Sequence, residues 1–422
     1  MRALLEESFR AAVAAADPAR ILAPALPPPP RGRTFVAAVG KAAASMAAAL
    51  EAAWPPAAPL EGIALTRYRH AVPTRRIRVV EAGHPVPDAA GEAAAREILA
   101  AAHALGPDDL LVALVSGGGS SLLALPAEGV SMDDLRALTA QLLASGAPIE
   151  DINTVRKHLS AIQGGRLAAA CRAPVRALII SDVTGDAPTH IASGPCAPDP
   201  TTYADAGAVL ARHGVTPPPA VRAFLDRGAA GQAPETPKPG DPALAHAENR
   251  VIATAHRALE AAADVFRGAG ITPAILGDTV AGEAAEVAKV MAALVREIRA
   301  YRTPFAPPVA LISGGECTVS LGAAGGRGGR CAEFLLALAA ALGGLEAVHA
   351  IAADTDGIDG SEDNAGALLT PSSLERARAM GLDATRFLAA HDSYGFFAAL
   401  GDLVVTGPTY TNVNDYRAIL VT

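Results

Sequence analysis

The stretch LLVALVSGGGSS, residues 110–121, runs from an unbroken apolar segment straight into three glycines flanked by serines. An apolar run of this length reads as a strand buried on both faces, Leu110–Val115. The loop at its carboxyl end, Ser116-Gly117-Gly118-Gly119-Ser120-Ser121, leaves backbone N–H groups uncovered and lets the chain curl around an anion. A helix following the loop would add the positive potential of its N-terminus. The plainer alternative is a tight strand–helix turn with serine caps; the reading preferred here is a site for phosphate or carboxylate.

The same grammar repeats on either side. Thr34–Val39 reads as a strand entering Gly40-Lys41 and a helix from about Ala42. Ile77–Val80 is a strand and Asp88–Leu105 a helix. Ser131–Leu143 is helical, with Ser131 as N-cap and Asp133-Asp134 in its first turn. Val175–Ile180 is a strand ending in Ser181-Asp182. Strands alternating with helices predict a parallel, doubly wound, Rossmann-like sheet. Pro-rich segments follow at Thr216–Pro219 and Ala233–Pro242, the second read as a linker. Beyond it the alternation restarts with strand Arg250–Thr254, helix Arg257–Phe266, strand Thr272–Leu276 and helix Gly282–Ala300. Strand Val309–Ile312, helix Arg330–Leu342, strand Val348–Ala353 and a last strand near Ala418–Val421 complete it. The expected fold class is α/β: two α/β domains, 1–238 and 239–422, with an interdomain cleft. Ser-Gly-Gly follows a strand in each half, at Ser116 and again at Ser313-Gly314-Gly315-Glu316. Such carboxyl-edge loops are where open α/β sheets bind ligands.

Composition narrows the function classes. A chain of 422 residues suits two or three domains. With 35 basic against 43 acidic residues the net charge is −8, which argues against nucleic acid as a partner but leaves room for a small anion in a local basic pocket. The longest charge-free apolar stretch, Phe334–Leu345, is shorter than the ~20 residues of a membrane span. The amino terminus carries Glu6 and Glu7 and no apolar leader core, so no membrane partner and a cytoplasmic location are expected. The four cysteines, Cys171, Cys196, Cys317 and Cys331, stand alone without zinc spacing. A P-loop and the protein-kinase motifs are missing. So is a G-x-G-x-x-G, because Leu122 stands where the third glycine would be, which counts against a standard NAD site.

Charged residues at strand ends supply the remaining chemistry. Lys41 directly follows a buried strand, where an ammonium can neutralise a transferring phosphoryl group; snorkelling to solvent is the simpler account. The loop Gly325-Gly326-Arg327-Gly328-Gly329-Arg330 sets two guanidinium groups at the entry to a helix, and Arg binds phosphate bidentately. Asp182 and Asp186, then Asp354 and Asp356 with Asp359 beyond, and Glu316 are acidic sets at strand ends. The period of two would put Asp354 and Asp356 on one strand face. Magnesium uses one or two such carboxylates plus substrate phosphates; turn and cap roles are the alternative. His84, His158 and His190 are read as structural or pocket-lining.

Taken in order, these segments resemble the glycerate 2-kinase family that carries the MOFRL domain, long labelled hydroxypyruvate reductase. The matching pieces are Val39-Gly-Lys41-Ala, Ala82-Gly-His84-Pro, Leu114–Ser121, Ile152-Asn-Thr-Val-Arg-Lys-His-Leu-Ser160 with Gly164-Gly-Arg-Leu, and Ser181-Asp-Val-Thr-Gly-Asp186 with Ile191-Ala-Ser-Gly-Pro195. They continue with Ile312–Glu316, Gly328-Gly-Arg330 with Glu333, Asp354-Thr-Asp-Gly-Ile-Asp-Gly360, and Thr406-Gly-Pro408 with Thr411-Asn-Val-Asn-Asp415. They cover nearly the whole chain.

The resemblance implies ATP-dependent phosphorylation of D-glycerate at its 2-hydroxyl, with Mg²⁺, in the cleft between two α/β domains. It makes Lys41 and Arg330 catalytic, and Asp182 is added as base or metal ligand. Ser116, Gly117, Gly118, Gly119, Ser120, Ser121, Arg156, Gly314, Gly315, Glu316 and Asn412 are taken as substrate- or nucleotide-binding. Asp182, Asp354 and Asp356 are taken as magnesium ligands. Replacing Lys41 or Arg330 by Ala is expected to cut turnover without unfolding the protein. One departure stands out: Cys331-Ala332 replaces the family's Asn-Gln beside Arg330, removing two amides. Rival readings are an NAD(P)H-dependent hydroxypyruvate or tartronate-semialdehyde reductase, a kinase of a related hydroxy acid, and a non-catalytic anion-binding protein. A homodimer is one assembly the sequence allows.

Overall fold

The computed structural model describes residues 1–321 and 325–422. The chain divides into two compact units, residues 18–252 and residues 1–17 with 253–422.

The first unit is built on a six-stranded sheet. Its strands are β1 Thr34–Val39, β2 Leu60–Arg67, β3 Ile77–Ala82, β4 Leu110–Val115, β5 Val175–Ile180 and β6 Ala247–Ala253. Their order, β3-β2-β1-β4-β5-β6, is that of a doubly wound dinucleotide-type sheet. The pairs β1–β2, β2–β3, β1–β4 and β4–β5 are parallel. β1 and β4 are buried along their whole length, as unbroken apolar runs between covered faces require. β2 is the strand the sequence pattern did not reveal. It follows a Pro-rich turn and is interrupted by Gly62, where a Cβ would stand 2.4 Å from the carbonyl oxygen of Val36. The glycine that spoils the apolar run is therefore what lets β2 approach β1.

Ser131 caps its helix as expected, and Asp88, read as the first residue of a helix, is instead its N-cap. Asp88 accepts the N–H of Gly91 ahead of helix Ala89–Ala104, and Ser131 and Asp134 form a reciprocal capping box ahead of Met132–Ala144. Helices Ile149–His158, Tyr203–Arg212 and Pro219–Ala229 form with Met132–Ala144 a satellite core around Leu138, Val155, Tyr203 and Phe224.

The second unit holds a six-stranded mixed sheet. Its strands are β7 Thr272–Gly277, β9 Val309–Ser313, β11 Val348–Asp354, β12 Gly366–Leu369, β13 Leu403–Val404 and β14 Asp415–Val421. Two-residue strands β8 Gly282–Glu283 and β10 Cys317–Thr318 pair beside it. The sheet order is β13-β12-β11-β14-β9-β7, antiparallel except for β7–β9. Helix Arg330–Leu342 is apolar nearly all round, as a helix enclosed by its own unit should be.

The linker reading shifts on two counts. β6 lies beside β5 in the first sheet, so the segment after Pro242 still belongs to the first unit. The opening helix Arg2–Ala14 belongs to the second unit, packing on helix Ala255–Gly268 and reaching β14. Phe9 stacks near Tyr416, whose hydroxyl donates to Ser8 Oγ at 2.8 Å.

Candidate active site

In the first unit the β4 loop is locked to the end of β1. Ser116 N–H donates to Val39 O at 2.9 Å, Lys41 N–H to Gly117 O at 2.8 Å, and Ala42 N–H to Ser116 Oγ at 3.0 Å. Lys41 is thus fixed by its backbone, with its side chain outside that ladder.

The glycines are required by what surrounds them. A Cβ on Gly117 would stand 1.6 Å from Asp182 Oδ2, and one on Gly119 would stand 2.5 Å from Ala192 Cβ. Gly118 has φ +78°, and its Cβ would meet His84 Nε2 at 2.8 Å and Lys41 Cγ at 3.2 Å. The loop therefore brings together Lys41, His84 and Asp182. Among the described residues the N–H groups of Gly117 and Gly118 make no hydrogen bond to a backbone carbonyl, which leaves two donors for an anion. The following helix is a single turn, Gly119–Leu122, so the expected dipole contribution shrinks to those few N–H groups.

A relay of side chains supports the loop. Ser120 Oγ lies 2.8 Å from Ser193 Oγ, and Ser193 Oγ donates to Asn153 Oδ1 at 3.2 Å. Arg156 Nη1 donates to the same Asn153 oxygen at 2.8 Å, while Asn153 Nδ2 reaches His190 O at 3.4 Å. Arg156 has no carboxylate within ion-pair distance among the described residues, and burial pushes its guanidinium down to about 10. Ala192, Ser193 and Gly194 all have left-handed backbones, with φ of 51°, 57° and 57°. For the first two that conformation is strained by roughly 1–3 kcal/mol each. Sequence reasoning missed Ser193 and Asn153 as site-forming residues; only their places inside the matching segments signalled them. His84, read as structural or pocket-lining, lies against Gly118.

In the second unit Arg330 opens its helix and is held by three carboxylates. Nε donates to Asp415 Oδ1 and Oδ2 at 2.8 and 3.0 Å, Nη2 to Asp354 Oδ2 at 2.7 Å, and Nη1 lies 3.3 Å from Glu316 Oε1. Burial works against its charge, but Asp415, Asp354 and Glu316 outweigh it and hold the pKa above the ordinary value. Asp354 and Asp415 are buried, whereas Glu316 is 58% exposed. Asp359 accepts the N–H groups of Cys331 and Ala332 at 3.0 and 2.8 Å, capping the helix from a distant loop. Burial pushes that carboxyl up to about 7. The Ser-Gly-Gly loop is pinned by Arg417, which donates to the carbonyls of Gly314 and Val280. Gly315, with φ +95°, packs so closely that a Cβ would meet Val280 N at 2.4 Å. Asn412 is buried, and its Oδ1 accepts the N–H of Asn414 at 3.3 Å.

The strand-face reading of Asp354 and Asp356 does not survive. β11 ends at Asp354, and Asp356 lies in the turn, its Oδ1 accepting Ile358 N–H at 2.9 Å. Asp354 is the counter-ion of Arg330, and its Oδ1 also accepts Asp356 N–H at 2.9 Å. No group of three or more metal-ligating side chains exists among the described residues. A magnesium ion that takes one or two carboxylates and completes its shell with phosphate and water fits such a donor set.

Comparison with known proteins finds two family matches along the chain. Residues 4–226 match the family described as Domain of unknown function (DUF4147), and residues 309–415 match the MOFRL family. A protein of Agrobacterium vitis, provisionally named hydroxypyruvate reductase, is 56% identical over all of this chain and 94% of its own length. The D-glycerate 2-kinase of Thermotoga maritima is 39% identical over 98% of this chain and 97% of its own. A crystal structure of a Thermotoga maritima glycerate kinase superposes with a TM-score of 0.87 at 37% identity, covering 99% of both chains. Fold and relatives together define an α/β enzyme of the kinase class. The chain belongs to the glycerate kinase family that carries the MOFRL domain. No described helix is long and apolar enough to cross a membrane.

Proposed function

We propose that the protein transfers the γ-phosphoryl group of ATP to the 2-hydroxyl of D-glycerate, releasing 2-phosphoglycerate and ADP. The observation that carries this reading is the contact of Asp182 with Gly117, in a loop that also gathers Lys41, His84 and two open N–H donors. An acid, a base and an anion cradle at the carboxyl edge of a Rossmann-ordered sheet suit in-line transfer, where positioning and charge do most of the work.

In that reaction the glycerate 2-oxygen attacks the γ-phosphorus, the bond to the β–γ bridging oxygen breaks, and the 2-hydroxyl proton passes to Asp182 or, with Asp182 holding Mg²⁺ instead, to water. The Ser116–Ser121 loop holds an anionic group on its N–H donors, with Arg156 as a nearby cation. Lys41 is the cation assigned to the transferring phosphoryl in the first unit, and Arg330 is the phosphate-binding cation of the second. Of the three acids around Arg330, Glu316 is the exposed one, so it is the partner a phosphate oxygen displaces from Nη1. Gly314 and Gly315 give that edge its close backbone, and Asn412 shapes the turn beside it. Mg²⁺, when bound, neutralises phosphate charge; Asp182 is the first choice to hold it and Asp356 the second, with Asp354 committed to Arg330. The setting is the cytoplasm, where ATP is supplied.

The test is ADP release by purified protein with ATP, Mg²⁺ and D-glycerate, with the phosphoglycerate isomer resolved. Mg²⁺-dependent 2-phosphoglycerate is expected. The name carried by the Agrobacterium relative makes hydroxypyruvate reduction the second reading. NAD(P)H oxidation with hydroxypyruvate, and no ADP release with glycerate, would replace the kinase reading with it.

A further inference from the structure

We infer that Asn153 is a positioning residue of the proposed transfer, holding the anion loop through the left-handed turn Ala192–Gly194. The inference rests on the kinase reading and adds to it a residue that acts through others. Asn153 is buried on helix Ile149–His158. Arg156 Nη1 lies 2.8 Å from one end of its amide, and a guanidinium only donates, so that end is the oxygen. Ser193 Oγ lies 3.2 Å from the same oxygen and therefore donates to it as well. A hydroxyl carries one hydrogen, so the 2.8 Å contact between Ser120 and Ser193 runs from Ser120 Oγ to Ser193 Oγ. At the other end of the amide Nδ2 reaches His190 O at 3.4 Å. One side chain thus holds the turn at His190 and at Ser193, and it sets the direction of the relay as far as the loop.

The turn is one that needs holding. Ala192 and Ser193 are left-handed without being glycine, and that conformation persists only where its surroundings over-determine it. The N–H groups of Gly164 and Gly165 donate to Ser193 O and Gly194 O at 2.9 and 2.7 Å. Lys157 Nζ, one helical turn beyond Asn153, reaches Thr189 Oγ1 at 3.4 Å. What these contacts fix is the loop. Ala192 Cβ fills the place a side chain on Gly119 would take, and Ser193 receives the hydrogen of Ser120. Gly119 and Ser120 follow directly on Gly117 and Gly118, the two residues whose N–H groups make no bond to a backbone carbonyl. Gly117 in turn lies against Asp182. Letting the turn relax therefore shifts the N–H cradle relative to the carboxylate. Reacting groups need supporting contacts of this kind to stay within about 0.5 Å of a productive geometry.

The experiment measures kcat, and KM for D-glycerate and ATP, with Mg²⁺ present, in wild type, Asn153→Ala, Ser193→Ala and the double variant. Each value is corrected for the folded fraction by circular dichroism. The two single variants should each lower kcat by on the order of 10²-fold, the cost of a misplacement of ~1 Å, with both KM values within about threefold of wild type. Because Asn153 acts through Ser193, the double variant should lose no more than the larger single loss, where independent effects would multiply. Ser193→Ala removes one oxygen and leaves the bond between Arg156 and Asn153 in place, so it decides the question if Asn153→Ala does not fold. A kcat within about twofold of wild type in either folded variant would overturn the inference and confine the amide to stability. Losses that multiply in the double variant would overturn it as well, because the two residues would then act separately. So would a raised KM for one substrate at unchanged kcat, the mark of a residue that binds and does not position. Absence of glycerate phosphorylation by folded wild type would remove the kinase reading and this inference together, whereas the other contrary outcomes strike the inference alone.

Discussion

Arg330 Nε sits between the two carboxylate oxygens of Asp415, at 2.8 and 3.0 Å, and the same guanidinium reaches Asp354 at 2.7 Å. The arginine proposed to meet the phosphoryl group is therefore also the cation that keeps two buried acids tolerable. Arg330→Ala takes the nearest counter-charge from both acids and leaves Asp415 the more distant Arg417 at 3.5 Å, a loss of roughly 3–5 kcal/mol for a buried pair. The expectation drawn from sequence, that Ala at this position would spare the fold, is revised. Arg330→Lys restores the charge but not the forked geometry. We expect a clear fall in Tm for Ala, a smaller one for Lys, and low kcat in both. Wild-type kcat in the Lys variant would remove Arg330 from the chemistry.

Lys41 gives the cleaner test of catalysis. Its backbone N–H, and not its side chain, is what ties it to Gly117. Lys41→Ala should leave thermal unfolding near wild type and lower kcat by ~10²–10³, the usual cost of one positioned charge donor. Unchanged kcat in stopped-time ADP assays would refute its role.

Gly117→Ala probes the contact between the loop and Asp182. The new Cβ would stand 1.6 Å from Asp182 Oδ2, so either the loop or the carboxylate must move. A displacement of ~1 Å at reacting groups costs on the order of 10²-fold in rate. We expect that loss in kcat, with a far-ultraviolet circular dichroism spectrum like wild type.

Much of this was legible beforehand, and the exceptions share a cause. β4 is an unbroken apolar run, β1 is apolar after Thr34, β5 is broken only by Arg176, and their observed bounds are the expected ones. Ser131 announced its helix through local side-chain chemistry. Local signals failed where long-range contacts decide. Nothing near Gly62 says that it must slide under Val36, nothing near Ser193 says that it faces Ser120, and nothing near Asp359 says that it caps a helix beginning at Arg330. Asp415 was visible in a matching segment, but its claim on Arg330 appears only when β14 is laid beside β11.

Lys157 and Asp199 form a wholly buried ion pair at 2.6 Å in the first unit, with Thr201 and Thr236 also bonded to the carboxylate. Lys157→Met leaves Asp199, itself fully buried, without its ammonium partner. Destabilisation of roughly 3–5 kcal/mol is expected in urea unfolding. A change below ~1 kcal/mol would mean that Asp199 finds another donor or takes up a proton.

His158 makes stability of the same unit depend on pH. Burial pushes its imidazole below the ordinary value; the Thr154 carbonyl, Asp199 and Glu235 pull the other way, and Lys238 adds to the lowering. In the unfolded chain this histidine takes up a proton near pH ~6.5, while the folded form still resists it. Its contribution is therefore complete above that pH and is lost as pH falls below it. Unfolding free energy should decline from about pH 6.5 downward, and His158→Gln should flatten that part of the curve. An identical slope in both proteins would clear His158 of the effect.

The opening helix, Arg2–Ala14, finds its partners in residues beyond 252, and β14 lies between β11 and β9 in the middle of its sheet. During translation the first unit can close while the ribosome is still at work, but the second cannot, because its earliest-made piece waits for its latest. A nascent chain therefore carries an unsatisfied amphipathic helix through nearly the whole of its synthesis. A premature stop before codon 415 removes a central strand along with the acid that holds Arg330. Such a truncation should release a chain whose first unit survives and whose second is an aggregation-prone remnant, a pattern of failure that a pulse-labelled protease digest would display directly.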